Sequence, residues 1–399
     1  MSDTTSRKTG RTGVWLVGAR GSVATTAVVG AAAVSGGFVP PTGMVSQLAE
    51  FAECGLPALD ELVFGGHDVT DIPLSKRAEQ LAGAGVFPTA LLPLVSDALQ
   101  AAEAEIRTGT GTANDSGPGG PTQAEIADSL IDDLTSFRQR QRLDQVVVVD
   151  VSSTEPLTAP RPEHDELDAL EQALASGGET LLPSSLYAYA ALRAGCGHVG
   201  FTPSSGVRLP ALHRLAERQG LPYAGSDAKT GETLIRTALA PVFAHRALSV
   251  RSWSGTNLLG GGDGATLADP AAAASKNASK RSGLDALLGE RVEGLTHIDN
   301  VPSMGERKTA WDHIDFQGFL GAPMTLQFTW QGWDSALAAP LVLDLARFLA
   351  RARQAGAAGP QRQLGFFFKD PIARDGIAPD HRLVPQFEEL RAWYAGVGR

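Results

Sequence analysis

Four consecutive valines, Val146–Val149 in the stretch QVVVVD, constrain the fold of this chain more than any other feature. An apolar run this short, β-branched throughout and closed by Asp150, reads as a strand rather than a helix. No polar residue alternates with the valines, so neither face of that strand meets water. Such strands belong to parallel sheets with helices packed above and below. The neighbouring segments supply the helices. GVWLVG (13–18) reads as a strand entering a small-residue turn and then an Ala/Val-rich helix. DELDALEQALASGG (165–178), SLYAYAALRAG (185–195) and PALHRLAERQG (210–220) have helical apolar spacing, with HVGFTPSS (198–205) as a strand between two of them. Strands alternating with helices predict an α/β chain built on a doubly wound parallel sheet.

The middle of the chain reads differently. ALSVRSWSGTNLLGGGDG (247–264), THIDNVPSM (296–304) and MTLQFTWQGW (324–333) are β-rich with few helices between them, which predicts a second, α+β unit. DSALAAPLVLDLARFLARARQAG (334–356) then resumes as a long buried helix capped by Asp334 or Ser335, and LGFFFKD (364–370) reads as a last strand. Residues 1–12 form a polar tail, and the Gly/Thr/Pro-rich segment 107–122 a flexible surface loop. A length of 399 residues accommodates two domains.

The balance of 34 basic against 44 acidic residues, with no basic tract, argues against nucleic acid or an anionic membrane as partner. No apolar run approaches the ~20 residues of a membrane span. Arg20 interrupts the apolar stretch after VWLVGA, which makes the N-terminal region strand, turn and helix rather than a signal peptide. Cys54 and Cys196 have no metal-ligand spacing and suit a reducing compartment, so the expectation is a soluble, cytoplasmic protein. His313 between Asp312 and Asp315 reads as surface capping, and the sequence names no metal.

Several stretches carry chemistry. VGARGSVATT (17–26) follows a strand and opens a helix, the setting of a dinucleotide loop whose amides cradle a pyrophosphate. Gly18, Gly21 and Ser22 fit that loop, whereas Arg20 stands where a glycine is usual. The candidate ribose acids, Glu50 and Asp68, both lie beyond the usual spacing of about twenty residues. Asp68 follows a Gly-Gly pair that reads as a turn. In GSDAKTGET (225–233), Thr230, Gly231 and Thr233 could hold a phosphate at a helix start or simply cap it. SGTNLLGGGDGATL (254–267) has five glycines, which implies a close approach of its backbone to a ligand or another chain. PAAAASKNASKRSG (270–283) puts Lys276 and Lys280 on one helical face, suited either to the helix dipole or to an anion. Lys308 sits among charges in VPSMGERKTAWDHI (301–314). Lys369 ends the apolar FFFKDP, where desolvation would lower its pKa.

In this order, AGSDAKTGET, NLLGGGDG, SKNASKRSGLDALL, VPSMGERKTAWD and WDSALAAPLVLDL together resemble the myo-inositol-1-phosphate synthase (inositol-3-phosphate synthase) family, from Gly18 to Lys369. DVSSTEP, with Ser152 and Ser153, and VFGGHDV, with Asp68, resemble its cofactor-side loops. The resemblance implies an NAD-binding Rossmann domain over 13–225, an inserted catalytic and oligomerisation domain over 226–335, and a C-terminal return over 336–399, assembled as a homotetramer. It implies an isomerase that uses NAD without net redox change to convert glucose 6-phosphate to 1D-myo-inositol 3-phosphate, serving inositol and phospholipid biosynthesis. Lys276 and Lys369 would manage the proton on the C5 oxygen, and Lys280 and Lys308 would meet the C1 oxygen and the phosphate. Thr230, Gly231 and Thr233 match the phosphate loop, and Asn257 would join them on the substrate. Asp227 would orient the nicotinamide end, and Asp334 would support the lysines. Gly18, Arg20, Gly21, Ser22, Asp68, Ser152, Ser153 and Asp263 would face the cofactor. Arg20, the GGGDG loop and Glu306 depart from the family pattern. They leave room for a cyclase or dehydrogenase acting on another sugar phosphate, or for a silent NAD-binding oligomer.

Overall fold

The computed structural model describes residues 10–111, 120–156, 158–261, 284, 286–289, 292–373 and 379–397. Two sheets organise it. The first has seven parallel strands: β1 (Thr12–Val17), β2 (Leu62–Asp68), β3 (Ile106–Thr108), β4 (Gln145–Asp150), β5 (Gly197–Gly200), β6 (Pro222–Gly225) and β11 (Gly359–Pro360), in the order β11-β6-β5-β4-β1-β2-β3. The chain order reverses between β1 and β4, so a crevice opens beyond their carboxyl ends.

The valine run explains the layering. Val147 and Val149 pack into one core with Val14 and Leu16, under helices α1 (Ser22–Ser35) and α9 (Asp334–Gln354). Val146 and Val148 pack into the other core with Trp15 and Val17, under α4 (Gln123–Arg140), α5 (Leu167–Ala175), α6 (Pro183–Arg193) and α7 (Pro210–Gln219). All four valines are at most 1% exposed, which is why no polar residue alternates with them. Helices α2 (Leu74–Gly83) and α3 (Ser96–Glu103) flank the β2–β3 edge, and α10 (Leu383–Val397) closes the chain.

The second sheet has four strands, β7 (Ser249–Leu259), β8 (Thr296–Asn300), β9 (Arg307–Gln317) and β10 (Pro323–Trp333), in the order β10-β9-β7-β8. Its strands alternate, with Trp253, Ala310 and Ile314 buried on the face that α8 (Glu232–His245) covers. α9 starts where β10 ends, so Asp334 stands at the junction of the two sheets.

Four local expectations change. LGFFFKD is not a strand: Arg362–Phe367 form a 3-10 turn, and only Phe368 makes an isolated bridge, with Ala228. A short apolar run cannot separate these conformations by periodicity. The Gly65–Gly66 pair lies inside β2, not in a turn, because a side chain at Gly66 would sit 2.1 Å from the Leu16 carbonyl oxygen. Arg107 and Thr108, expected in a loop, end β3. Trp333 is the N-cap of α9, with Asp334 in its first turn and no side-chain cap bond, leaving that carboxylate for other partners.

Candidate active site

One cavity lies across the carboxyl ends of β1, β4 and β6 and reaches the second sheet. Its lining brings together Gly21, Ser22, Ser152, Ser153, Asp227, Thr230, Lys308, Asp334 and Lys369, all singled out by sequence. Lys276, Lys280 and Asp263 lie outside the described residues.

The cofactor-side wall is built by close backbone approach. Gly18 has φ of +84°, and a side chain there would stand 3.1 Å from the Ser152 Cα. Gly21 caps α1 without a side chain, and no acidic residue occupies the first turn. The leading amides of a helix have no acceptor of their own, so at Ser22 and Val23 they are offered to the cavity. Arg20 turns away from this wall. Its guanidinium pairs with Glu103 at 2.6 Å and donates to the Thr70 carbonyl, while its amide donates to Asp68 Oδ2 at 2.7 Å. Asp68 also accepts from the Thr70 amide at 2.8 Å, so its carboxylate braces the loop from the end of β2. Neither Arg20, Asp68 nor Gly18 lines the cavity. Ser152 donates to Asp150, whose burial pushes its carboxyl upward.

The opposite wall carries two lysine–carboxylate pairs. Lys308, near the start of β9, donates to Asp334 Oδ2 at 3.0 Å, and Thr230 donates to Asp334 Oδ1 at 3.1 Å. Lys369 donates to Asp227 Oδ1 at 2.6 Å, and its amide donates to the Asp227 carbonyl at 2.7 Å. Asp227 has φ of +58°, a conformation that costs an ordinary residue and that the double link to Lys369 holds. Each of these two lysines has a carboxylate partner among the described residues. Gly231 and Thr233 open α8 without lining the cavity, and a side chain at Gly231 would meet Trp330 Nε1 at 2.7 Å. Asn257 is fully buried on β7, with neither amide atom hydrogen-bonded among the described residues. It sits two positions along the same strand face from Leu259, whose register partner is Lys308.

In the glycine-rich loop the described residues end at Gly261, and Gly260 has a local cause. A side chain at Gly260 would lie 2.5 Å from the Gly305 carbonyl oxygen, so the close approach is to the turn before β9. The His313 grouping is also corrected. Asp312 is buried on the covered face, bonded by Arg236 and by Trp253 Nε1 at 2.7 Å, because β9 alternates and sends His313 to the other face. No group of metal-ligating side chains occurs among the described residues.

Sequence reasoning missed Arg77 and Lys229, and named Glu306 only as a departure from the family pattern. Arg77, on α2, donates to Ser22 Oγ at 2.6 Å and pairs with Glu306 at 3.1 Å, and both Arg77 and Glu306 line the cavity. Separations of 55 and 229 positions gave no local signal for these contacts. Lys229 lies buried within the already quoted AGSDAKTGET and donates to Gln386 Oε1 at 2.7 Å. Burial, with Lys369 nearby, brings its pKa down to about 7.

Comparisons with known proteins identify the family. The family model described as myo-inositol-1-phosphate synthase matches residues 12–395. The chain is 33% identical to inositol-3-phosphate synthase 1 of Bacteroides thetaiotaomicron over 96% of this chain and 94% of that one. It is 28% identical to inositol-3-phosphate synthase 1 of Bos taurus, over 88% of this chain and 65% of that longer one. It superposes on the inositol-3-phosphate synthase of Caenorhabditis elegans with a TM-score of 0.85 at 22% identity, covering 98% of this chain and 86% of that one, a likeness of fold. The matched span runs from the glycine loop, through both lysine-bearing segments, to α10, so the chain belongs to the myo-inositol-1-phosphate synthase family.

Proposed function

We propose that this chain is an inositol-3-phosphate synthase, an isomerase that converts D-glucose 6-phosphate to 1D-myo-inositol 3-phosphate with NAD used and regenerated in each cycle. The observation that carries the reading is the pair of lysine–carboxylate couples, Lys308–Asp334 and Lys369–Asp227, facing the open amides of α1 across one cavity. NAD fits the cofactor side: the uncapped start of α1 suits its pyrophosphate, and Ser152 and Ser153 line the route toward Asp227. Arg20 and Asp68 brace that loop, with Gly18 giving it room beside Ser152. Bound NAD supplies the hydride acceptor for C5 of the substrate and later returns that hydride.

The residues of this chain do the remainder. Lys369 passes a proton to Asp227 as it takes the C5 hydroxyl proton while the ketone forms, and the exchange reverses at the end; Lys276 is assigned beside it by family resemblance. With C5 a ketone, the C6 proton is acidic and passes to the substrate's own phosphate. The C6 carbanion then attacks the C1 aldehyde, closing the ring. Lys308 meets the alkoxide that develops at C1, and Lys280 and Thr230 hold the phosphate end; preorganised donors of this kind are the largest single source of catalysis. Asp334 holds Lys308 and Thr230 together. Gly231 and Thr233 shape the start of α8. Asn257, whose buried amide has no hydrogen-bond partner among the described residues and which shares a strand face with Lys308, suits a polar ligand group.

We read residues 13–225 with 336–399 as the cofactor unit and 226–335 as the catalytic and oligomerising unit. A homotetramer is supported by β10, an eleven-residue edge strand, beside Phe319 and Leu320 at 88% and 90% exposure. The free buried cysteines suit the cytoplasm, and the product would feed inositol and phospholipid biosynthesis.

The test is purified protein with glucose 6-phosphate and sub-stoichiometric NAD, following inositol phosphate and NADH together. Product in excess of NAD without accumulating NADH is expected, and Lys308→Ala should abolish it. NADH accumulating one-for-one with consumed substrate would instead mark a dehydrogenase, and NAD binding without turnover would mark another sugar phosphate or a silent oligomer.

A further inference from the structure

Arg77 reaches the cavity from α2, an element the catalytic reading does not use. Its guanidinium lies against Ser22 Oγ at 2.6 Å, at the first residue of α1, and against Glu306 Oε1 at 3.1 Å, in the turn that precedes β9. One Nη2 makes both contacts, and Nη1 lies 3.2 Å from Gln80 Oε1. A guanidinium has five N–H donors, so capacity remains for a further acceptor. Arg77 is about a quarter exposed and faces the same space as the α1 amides. A dinucleotide whose phosphates rest on those amides brings its negative charge beside this cation.

Glu306 makes that cation consequential. It stands two residues before Lys308, on the turn held against Gly260. A cation shared between Ser22 and Glu306 ties the cofactor wall to the strand that carries Lys308. Resting on the NAD-dependent reading above, we propose that Arg77 is a pyrophosphate ligand of the cofactor, and that its pair with Glu306 fixes the Lys308 turn to the occupied cofactor wall.

The test titrates wild type, Arg77→Gln and Arg77→Lys with NAD, ADP-ribose and adenosine by calorimetry. Loss of one charge-assisted hydrogen bond should weaken NAD and ADP-ribose about tenfold to a hundredfold in Arg77→Gln and leave adenosine unchanged. Arg77→Lys, which keeps the charge, should recover part of the loss. Hydrogen exchange then reads the tie: ADP-ribose should slow exchange over residues 301–311 in wild type and not in Arg77→Gln. Equal weakening of all three ligands, no weakening of any, or protection of 301–311 that persists in Arg77→Gln would overturn the proposal. A wild-type protein that bound neither NAD nor ADP-ribose would overturn the cofactor reading beneath it.

Discussion

The two sheets solve burial in opposite ways. In the first, β4 hides four valines between two helical layers, and the core is apolar on both sides. In the second, one face is covered, and beneath it Arg236 pairs with both Glu232 and Asp312 while Trp253 donates to Asp312. All three charged side chains are at most 4% exposed. The first sheet keeps its carboxylates, Asp68 and Asp150, to the ends of its strands. The second is built around charges whose desolvation is offset only while every partner is present. That difference suits their tasks, since the parallel sheet presents backbone amides and, beyond β6, the Lys369–Asp227 pair, while the second sheet presents Lys308 from β9.

Substitution should separate the two designs. Val148→Asp places an unpaired carboxylate in a dry core and also forfeits about 1.5–3 kcal/mol of apolar burial. The combined cost rivals the whole stability of a domain, about 5–15 kcal/mol. We expect no soluble folded protein; a cooperative melt near that of wild type would break the contrast. Arg236→Met comes next. It strands two buried carboxylates and should cost roughly 3–5 kcal/mol by urea unfolding. Burial already pushes Asp312 up to about 6, with Arg236 opposing the rise, so removing Arg236 drives it higher. Adding Glu232→Gln and Asp312→Asn should recover most of the loss, because the damage is the orphaned charge and not the missing cation. Failure of that rescue would mean that Arg236 holds the second sheet by packing alone.

Legibility followed the same division. The parallel sheet was readable because QVVVVD and GVWLVG state their burial locally, in runs that need no knowledge of a partner. Asp227, Lys308, Asp334 and Lys369 could be named because they stand in ordered, recognisable segments, yet their pairing could not be. Lys369 meets Asp227 across 142 positions, and periodicity carries no information about contacts at that distance. Asp68 lies beyond the usual spacing because the connection from α1 to β2 runs from Gly36 to Glu61 through three 3-10 turns. A count of about twenty residues assumes a short connection. Asp312 was misread as surface because DHIDF (312–316) can be read on two faces, and alternation does not say that the one shared by Asp312 and Ile314 is covered.

Lys229 tests the seam between the sheets, which is buried like the first and charged like the second. Its ammonium faces Asp380, Lys369 and His381, with Gln386 as its hydrogen-bond acceptor. Its folded pKa is about 7 against an ordinary 10.5, lowered first by burial. Across that window the unfolded chain takes up a proton that the folded chain refuses. Folding stability attributable to Lys229 therefore falls as pH drops from about 10.5 to 7, and levels off below 7, where both states are charged. Lys229→Met removes this dependence along with one hydrogen bond worth about 1 kcal/mol. The stability of Lys229→Met relative to wild type should thus rise by roughly 2–3 kcal/mol between pH 9.5 and 7, at 1.36 kcal/mol per unit. Urea midpoints of the two proteins at pH 9.5, 8, 7 and 6 give the difference directly. Curves that stay parallel throughout would mean that Lys229 keeps its proton in the fold, compensated by Asp380, and that the seam is built like the second sheet.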